Sequence, residues 1–205
     1  MKKQKPISPR TLEGRIMATT TTLTVDLFVS VDGWAGSDGL PGYFGYFGPD
    51  LGAWDQAEGA LPQRVIMGRR TYEAFAELPD EAWGDTYEMT MGLDKTIFST
   101  TLTEVPWPNA RIATDLIAEI AAMKADGGAP IRTWGSLALV RQLLNAGLVD
   151  RLRILTFPLF AGDAGRNAAF TEVASADLEL VDHRVLDNRI VLTEYRPTGK
   201  DIPRA

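Results

Sequence analysis

One short stretch, residues 65–73 (VIMGRRTYE), constrains the fold more than any other part of the chain. Three apolar residues lead into Gly68, two arginines follow, and a helical pattern begins near Thr71. This order predicts a buried strand that ends at a tight turn and opens a helix. Because glycine has no Cβ, Gly68 would let the backbone approach a ligand closely, and Thr71 is expected to cap the helix.

The functional interpretation of this turn is an anion site. The free amides at the start of a helix and the helix dipole favour a negative charge. Arg69 and Arg70 add forked donors that suit a phosphate group, and they stand out in a chain of formal net charge -6. The plain alternative is a strand-to-helix turn with two solvated arginines.

The same arrangement occurs a second time. A strand over 131–134 runs into Gly135, and Ser136 is placed to cap a helix over 137–145. If the two strands are parallel neighbours, both helix N-termini face the edge of the sheet where open α/β folds bind ligands. Two such ends suit a dinucleotide, and the hydroxyls of Ser99 and Thr100, with Arg69, could hold the extra phosphate of NADP. No Gly-x-Gly-x-x-Gly fingerprint follows a strand.

The remaining pattern predicts a three-layer α/β sandwich whose sheet is mixed but mostly parallel. A first strand over 23–31 is followed by alternating strand and helix units. Two alternating runs around Asp187-Asn188 predict a C-terminal antiparallel hairpin. We expect one domain over 23–197, preceded by a flexible arm over 1–22 (a tag or an alternative start) and followed by a tail over 198–205.

Composition excludes several classes of function. The acidic net charge argues against general nucleic-acid binding. The chain has no cysteine and one histidine, which excludes disulfides, zinc-thiolate sites and a multi-histidine metal cage, so no metal is expected. No apolar run reaches the roughly 20 residues of a membrane span, and the first residues lack the apolar segment of a secretory signal. A cytoplasmic location is therefore expected.

A long loop over 33–52, rich in glycine and aromatic residues, has the length of a lid or binding loop. Its Tyr43, Phe44, Tyr46 and Phe47 could stack on a flat ring of a ligand, or they could simply cover the core.

Several motifs in order resemble the dihydrofolate reductase-like superfamily. The similarity is greatest to the branch that contains the C-terminal reductase domain of riboflavin biosynthesis, a pyrimidine reductase. The order and spacing match along about 23–195. The residues that carry the resemblance are Ser30-Val31-Asp32-Gly33, the stretch 67–73, the stretch 98–102, Trp134-Gly135-Ser136 with Leu143-Leu144, the stretch 147–150, and Pro158 with Gly162, Gly165 and Phe170.

The resemblance implies an NADPH-dependent reductase acting on a pyrimidine- or pterin-like substrate, most like 5-amino-6-(5-phosphoribosylamino)uracil reductase. Dihydrofolate reduction itself, or NADPH binding without turnover, are the alternatives. The zinc signature of the accompanying deaminase domain is absent from this chain. Gly33 and Trp34 would lie in the loop that covers the nicotinamide. The cofactor would be bound by Gly68, Arg69, Arg70, Thr71, Ser99, Thr100, Trp134, Gly135, Ser136 and Leu137.

Three acids are candidates for proton transfer or substrate binding. Asp32 borders the lid loop, and Asp50 and Asp55 lie on or near a short helix that lines the substrate side in the superfamily. Asp50 or Asp55 could accept hydrogen bonds from an amino-pyrimidine or pterin ring, or relay a proton if burial raised its pKa. A helix cap or an exposed acid is the alternative for each, and His183 is expected to be structural or exposed.

The C-terminal hairpin also predicts a quaternary structure. An exposed sheet edge and a β-rich last third suggest a homodimer, formed by edge pairing or by face packing.

Overall fold

The computed structural model describes residues 20–203, so most of the predicted N-terminal arm lies outside the described residues. The main sheet has eight strands in the order β5-β4-β3-β6-β1-β7-β10-β9, and β2 and β8 pair separately. The strands are β1 (Leu23–Ser30), β2 (Trp34–Ser37), β3 (Arg64–Gly68), β4 (Asp94–Phe98), β5 (Ala110–Ala113), β6 (Ile131–Thr133), β7 (Arg151–Phe157), β8 (Gly165–Ala168), β9 (Leu178–Leu186) and β10 (Ile190–Pro197).

Six α-helices lie within the described residues, with short 3-10 turns at Gly42–Gly45, Gly84–Thr86 and Gly162–Ala164. The helices are α1 (Pro49–Gly59), α2 (Arg69–Ala76), α3 (Asp80–Trp83), α4 (Tyr87–Gly92), α5 (Leu116–Ala125) and α6 (Leu137–Asn145).

The sheet is mixed and mostly parallel, which confirms the predicted fold class. Strands β5, β4, β3, β6, β1 and β7 run parallel to one another, whereas β10 is antiparallel to both β7 and β9. The hairpin between β9 and β10 turns at Asp187 and Asn188, with φ of 51° and 54°. Those left-handed values are the ones that the two central residues of a type I′ turn require, and the Arg189 amide donates to Leu186 O at 3.0 Å to close the turn. Arg189 is the third loop residue, because Leu186 pairs with Ile190.

Helices cover both faces of the sheet. On one face, α5 and α6 pack on alternate residues of β1, from Leu23 to Val29. On the other face, α1 covers a cluster around Phe157 and Leu155, and α2 covers a second cluster around Val65 and Met67. Between these two apolar clusters, the middle of the sheet carries charged side chains instead.

The folded domain begins slightly earlier than predicted. The Thr21 amide donates to Lys124 O at 3.0 Å, and its hydroxyl donates to Gly128 O at 3.0 Å. The Ile131 amide donates to Thr22 O at 2.8 Å. Residues 21 and 22 are thus bonded to the sheet and to α5, although the sequence pattern assigns them to the arm.

Candidate functional site

Gly68, the last residue of β3, and Gly135, two residues after the end of β6, lie side by side, as the sequence predicts. The Gly68 amide donates to Gly135 O at 3.3 Å, and the Trp134 amide donates to Ile66 O at 2.9 Å. A Cβ on Gly68 would lie 2.6 Å from Ser136 Oγ, and a Cβ on Gly135, whose φ is +74°, would lie 3.0 Å from Thr71 Oγ1. The approach therefore depends on glycine at both positions.

Two helix N-termini open at this junction. Helix α6 has Ser136 as its N-cap residue, as predicted, but the Ser136 hydroxyl makes no capping hydrogen bond. The N-cap of α2 is Gly68, so the prediction that Thr71 caps this helix is wrong: the helix starts earlier and Thr71 lies within its first turn. Neither helix has a side-chain cap, which leaves first-turn amides of both available to an anion.

The predicted phosphate-binding side chains surround this junction. Arg69 Nη1 contacts both carboxylate oxygens of Glu73, at 2.8 and 3.0 Å, while Arg70 is exposed. Gly68 pairs with Phe98 in the sheet, so Ser99 and Thr100 follow at the same edge. Ser99 Oγ accepts the amides of Thr101 and Leu102 at 3.1 and 2.9 Å and holds that turn together.

Two further predicted residues flank the junction on the side of α6. Trp134 is half-buried, and its ring lies 6.1 Å from the ring of Phe75 on α2 in an edge-on arrangement. Leu137 is the first residue of α6 and packs against the core. The indole thus lies on α2 and fixes how α2 sits beside β6.

The predicted lid begins at the end of β1. The Gly33 amide donates to Ser30 O, and the Ala169 amide donates to Gly33 O, both at 2.9 Å. Trp34 lies in β2, which pairs with β8, and its ring covers Gly165 so closely that a Cβ there would come within 2.4 Å. The sequence pattern missed both short strands, because four-residue strands with glycine show no apolar alternation.

Asp32 ties the start of this lid to the loop after β7. Its carboxylate accepts hydrogen bonds from Ser30 Oγ at 2.6 Å and from the amides of Ala161 and Gly162 at 3.0 and 2.8 Å. These donors, the Ser30 hydroxyl first, lower the pKa of Asp32 to about 2. An acid that remains ionised near neutral pH is suited to holding two loops together rather than to donating a proton.

Asp50 takes part in a reciprocal cap. The Asp50 and Leu51 amides donate to the Asp187 carboxylate at 2.8 and 3.1 Å, and the Asp187 amide donates to Asp50 Oδ2 at 2.8 Å. A Cβ on Gly48 would come within 2.4 Å of that carboxyl group. The Asp187 carboxylate therefore caps α1, and the carboxylate of Asp50, an exposed residue, holds the hairpin turn in return.

Asp55 is placed differently from the other two acids. It is half-buried on α1, and its carboxylate forms no hydrogen bond with the described residues. Burial raises the pKa of Asp55, the Arg132 guanidinium opposes that shift, and the carboxylates of Asp26 and Glu58 reinforce it. Asp55 is thus the candidate acid with a free carboxylate and a raised pKa.

Tyr43 lies close to Asp55. Burial and then the charge of Asp55 raise the pKa of Tyr43 to about 12. Its ring packs edge-on against Phe28 at 5.2 Å, and Phe44 beside it is buried against Phe157. The loop aromatics therefore cover part of the core, as one of the two interpretations holds, while Phe47 keeps 60% of its surface exposed.

A buried charge network lies under α1, and the sequence analysis did not identify it. Asp26 on β1 bonds to Arg132 Nε at 2.5 Å and to Arg153 Nε at 2.6 Å, and Arg153 Nη1 lies 2.6 Å from Glu58 Oε2. Both guanidinium groups also lie against the Trp54 ring, at 5.5 and 5.2 Å from its centre. Two cations and two carboxylates thus compensate one another away from water.

Among the side chains that the structure describes, no cluster of three or more acidic, histidine or cysteine residues has the geometry of a metal site. His183 is exposed on β9, as expected. In the same range, no helix combines the length and apolar character needed to cross a membrane.

Comparison with known proteins identifies the family. The model of the RibD C-terminal domain matches residues 21–192. The chain belongs to the RibD C-terminal domain family. The uncharacterized protein YyaP of Bacillus subtilis (strain 168) is 23% identical to this family member over 184 residues, which cover 86% of this chain and 95% of YyaP.

Solved structures share the fold at low identity. A candidate riboflavin biosynthesis protein of Shewanella sp. PV-4 superposes with a TM-score of 0.66 at 20% identity, over 87% of this chain and 99% of that one. A pyrimidine reductase-like protein of Corynebacterium diphtheriae superposes with a TM-score of 0.61 at 15% identity, over 88% of this chain and 93% of that one. The Thermotoga maritima deaminase/5-amino-6-(5-phosphoribosylamino)uracil reductase superposes with a TM-score of 0.61 at 12% identity, over 87% of this chain and 57% of that one. The predicted family and fold are confirmed.

Proposed function

We propose that this protein is an NADPH-dependent reductase that transfers a hydride to a pyrimidine- or pterin-like substrate. The reaction would be most like that in the name of the Thermotoga maritima relative, 5-amino-6-(5-phosphoribosylamino)uracil reduction. The observation that carries the proposal is the junction of Gly68 and Gly135, where two helices without side-chain caps open at one edge of the sheet. Such a junction fits a pyrophosphate between two helix ends.

The residues around the junction have roles that follow from their chemistry. The backbone at Gly68, Gly135 and Leu137 would approach the pyrophosphate, with Thr71 and Ser136 supplying hydroxyl groups. Ser99, Thr100 and the guanidinium groups of Arg69 and Arg70 would surround a ribose phosphate. Trp134 would support the junction through α2, and Gly33 and Trp34 would form the edge of the lid over the nicotinamide.

The bound cofactor would supply a hydride from the nicotinamide ring, and the chain would orient the two rings and manage the accompanying proton. Among the three candidate acids, Asp55 suits that proton best, because its carboxylate has no partner among the described residues and burial raises its pKa. Asp32 and Asp50 are engaged by backbone amides and would position the lid and α1.

Cofactor binding provides the direct test. The chain has five tryptophans, so we expect NADPH to quench tryptophan fluorescence at micromolar concentrations. Because a hydrogen bond to a charged group contributes about 1.5–3 kcal/mol, Arg69→Ala should weaken NADPH binding by roughly 10- to 100-fold and leave NADH binding nearly unchanged. Arg196→Ala, at an exposed position on β10, is the matched control.

Several results would count against the proposal. Absence of binding by either nucleotide would exclude a reductase, and equal loss of NADPH and NADH in Arg69→Ala would refute the ribose-phosphate assignment. NADPH binding without oxidation in the presence of pyrimidines, pterins or quinone-like acceptors would instead favour a binding protein without turnover. Tight methotrexate binding with dihydrofolate turnover would favour dihydrofolate reductase.

The exposed hairpin supports a proposal on assembly. Val185 and Val191 face each other across β9 and β10, with 59% and 41% of their surfaces exposed. Their neighbours Leu186, Ile190 and Leu192 point to the opposite, buried face. We propose that this apolar strip on an edge hairpin is covered by a second copy of the chain.

A further inference from the structure

We propose that α6 sets the position of the lid over the nicotinamide, through Arg141 and Asn145, which hold the segment 168–174 at the end of β8. We call this segment the strap. The role rests on the proposed function, because the group that the lid covers is the nicotinamide ring of the bound nucleotide. Arg141 and Asn145 act through the strap, so they are positioning residues rather than catalytic ones.

The strap is bonded to the base of the lid. Ala168, its first residue, pairs with Trp34 where β8 meets β2. The Ala169 amide donates to Gly33 O at 2.9 Å. The Phe170 ring lies beside the same glycine, since a Cβ on Gly33 would be 3.6 Å from it, an ordinary packing distance. Any movement of the strap is therefore transmitted to Gly33 and Trp34.

On its other side, the strap is bonded to α6. Asn145 Nδ2 donates to Glu172 O at 2.9 Å, and the Ala174 amide donates to Asn145 Oδ1 at 2.8 Å. One side chain thus uses both its donor and its acceptor on the backbone of the strap. One turn earlier on the helix, Arg141 Nη2 donates to Ala168 O. The strap is therefore held to α6 at its first residue and again near its end.

The backbone of the strap requires these contacts. Glu172 has φ of +63°, in the left-handed region that residues with a large side chain seldom adopt. Such a conformation persists only where the surroundings impose it, and it is most frequent at functional sites. Asn145 imposes it here, because it binds the carbonyl of Glu172 and the amide of Ala174.

The stability of the fold does not by itself account for Arg141. Its side chain is 20% exposed, and its Nε is buried without a hydrogen-bond partner among the described residues. Its Nη1 is 3.6 Å from Glu172 Oε2, which is longer than a hydrogen bond. A buried donor of a charged group that lacks an acceptor costs stability. The contact that explains an arginine at this position is its bond to Ala168 O in the strap.

Helix α6 therefore reaches both halves of the proposed nucleotide site. Its first residue, Leu137, follows the junction where the pyrophosphate is placed in the proposed function. Arg141 lies four residues further, about one turn and about 6 Å along the helix axis, and Asn145 is the last residue. One helix thus fixes the distance between the pyrophosphate and the lid. Loss of its bonds to the strap would release the lid and leave the pyrophosphate contacts in place.

The experiment measures how well the lid covers the nicotinamide of NADPH bound to the full chain. The readout is collisional quenching by acrylamide of the fluorescence of bound NADPH, which comes from the nicotinamide ring. In the wild type, we expect the bound ring to be quenched much less than free NADPH. Asn145→Ala removes two bonds to the strap, and one hydrogen bond changes an equilibrium constant by roughly two- to tenfold, so quenching should rise at least about threefold. The NADPH dissociation constant should change by less than about threefold, because the junction is intact.

Gln142→Ala is the matched control. It removes the same kind of amide side chain from the same helix, but Gln142 Nε2 is bonded within α6, to Ala138 O at 3.1 Å. Hydrogen exchange of the Ala169 amide provides a second readout that needs no nucleotide. Because this amide is bonded to Gly33 O, its exchange should be at least about fivefold faster in Asn145→Ala and unchanged in Gln142→Ala.

A second variant keeps the test decisive if Asn145→Ala fails to fold. Arg141→Met keeps the apolar stem and removes the guanidinium group, so it should raise quenching in the same direction. The inference is overturned if wild-type protein leaves bound NADPH as accessible as free NADPH, or if quenching is unchanged in a folded Asn145→Ala or Arg141→Met variant. Equal changes in Asn145→Ala and Gln142→Ala would also overturn it. If NADPH does not bind to the wild type, the proposed function fails instead, and exchange of the Ala169 amide still tests whether α6 holds the lid.

Discussion

The contact between Gly68 and Ser136 can be tested without any knowledge of the ligand. Gly68 has φ of −83° and ψ of 159°, an extended conformation that alanine adopts freely, so Gly68→Ala brings no backbone strain. Its new Cβ would lie 2.6 Å from Ser136 Oγ and 3.3 Å from Ser136 Cβ. Rotation of the serine can relieve the first contact but not the second. We therefore expect an overpacking cost of about 1–3 kcal/mol.

A double-mutant cycle isolates that cost. Ser136→Gly removes both contacting atoms and leaves the backbone nitrogen of residue 136 at 3.8 Å, an ordinary packing distance. Glycine is acceptable at an N-cap, and Ser136 makes no capping hydrogen bond, so this change alone should cost only about a few tenths of a kcal/mol. In the Ser136→Gly background, Gly68→Ala should be neutral or stabilising by up to about 1 kcal/mol, because alanine restricts the unfolded chain.

The assay is urea unfolding of the four proteins, with the free energy of unfolding taken at equal m-values. The expected coupling between the two positions is about 1–4 kcal/mol, well above the roughly 0.3–0.5 kcal/mol seen for independent sites. If Gly68→Ala costs the same in both backgrounds, residues 68 and 136 do not touch. The juxtaposition of strand ends on which the cofactor site depends would then be refuted.

Two other contacts lead to separate expectations. Asp187→Ala removes the side-chain cap of α1 and should lower the free energy of unfolding by about 0.5–2 kcal/mol. The control is Asn188→Ala, next to it in the turn, which should leave the cap intact. Equal losses of stability in urea unfolding would contradict the capping role. For assembly, light scattering should give the mass of two chains for the wild type and the mass of one chain for Val185→Glu. The reason is that Val185→Glu would bury a charge in the interface between the two copies. A monomeric wild type would contradict the dimer.

The parts of the site that were predictable are those encoded by neighbouring residues. A strand, a glycine and a helix follow one another at Gly68 and again at Gly135, so local pattern places both turns. The rule that ligands bind at the carboxyl ends of parallel strands then brings them together. The helix start near Thr71 was wrong by two residues because Arg69 and Arg70, polar but good helix formers, already belong to α2.

The parts that were not predictable depend on contacts between distant residues. Asp26 forms hydrogen bonds with Arg132 and Arg153, which are 106 and 127 residues away in the sequence. Asp50 and Asp187, which also bond to each other, are 137 residues apart. A charged residue inside a predicted strand is ordinarily assigned to a solvated face, by the period of two. The signal that would have revealed the network is that charged residues interrupt three strands of one buried sheet, at Asp26, Arg132 and Arg153.

That interruption has a physical explanation in the layout of the sheet. Helices α1 and α2 each cover an apolar cluster on the same face, and β1 and β6 lie between the two clusters. There, among the described residues, the aromatic contact from α1 is the Trp54 ring, which packs on Phe28 and on the guanidinium groups. Replacing a buried ion network with apolar residues is often neutral or stabilising, so stability alone does not account for this one. A role in fixing Trp54 does account for it, because both guanidinium groups lie against that ring and so hold α1 on the sheet.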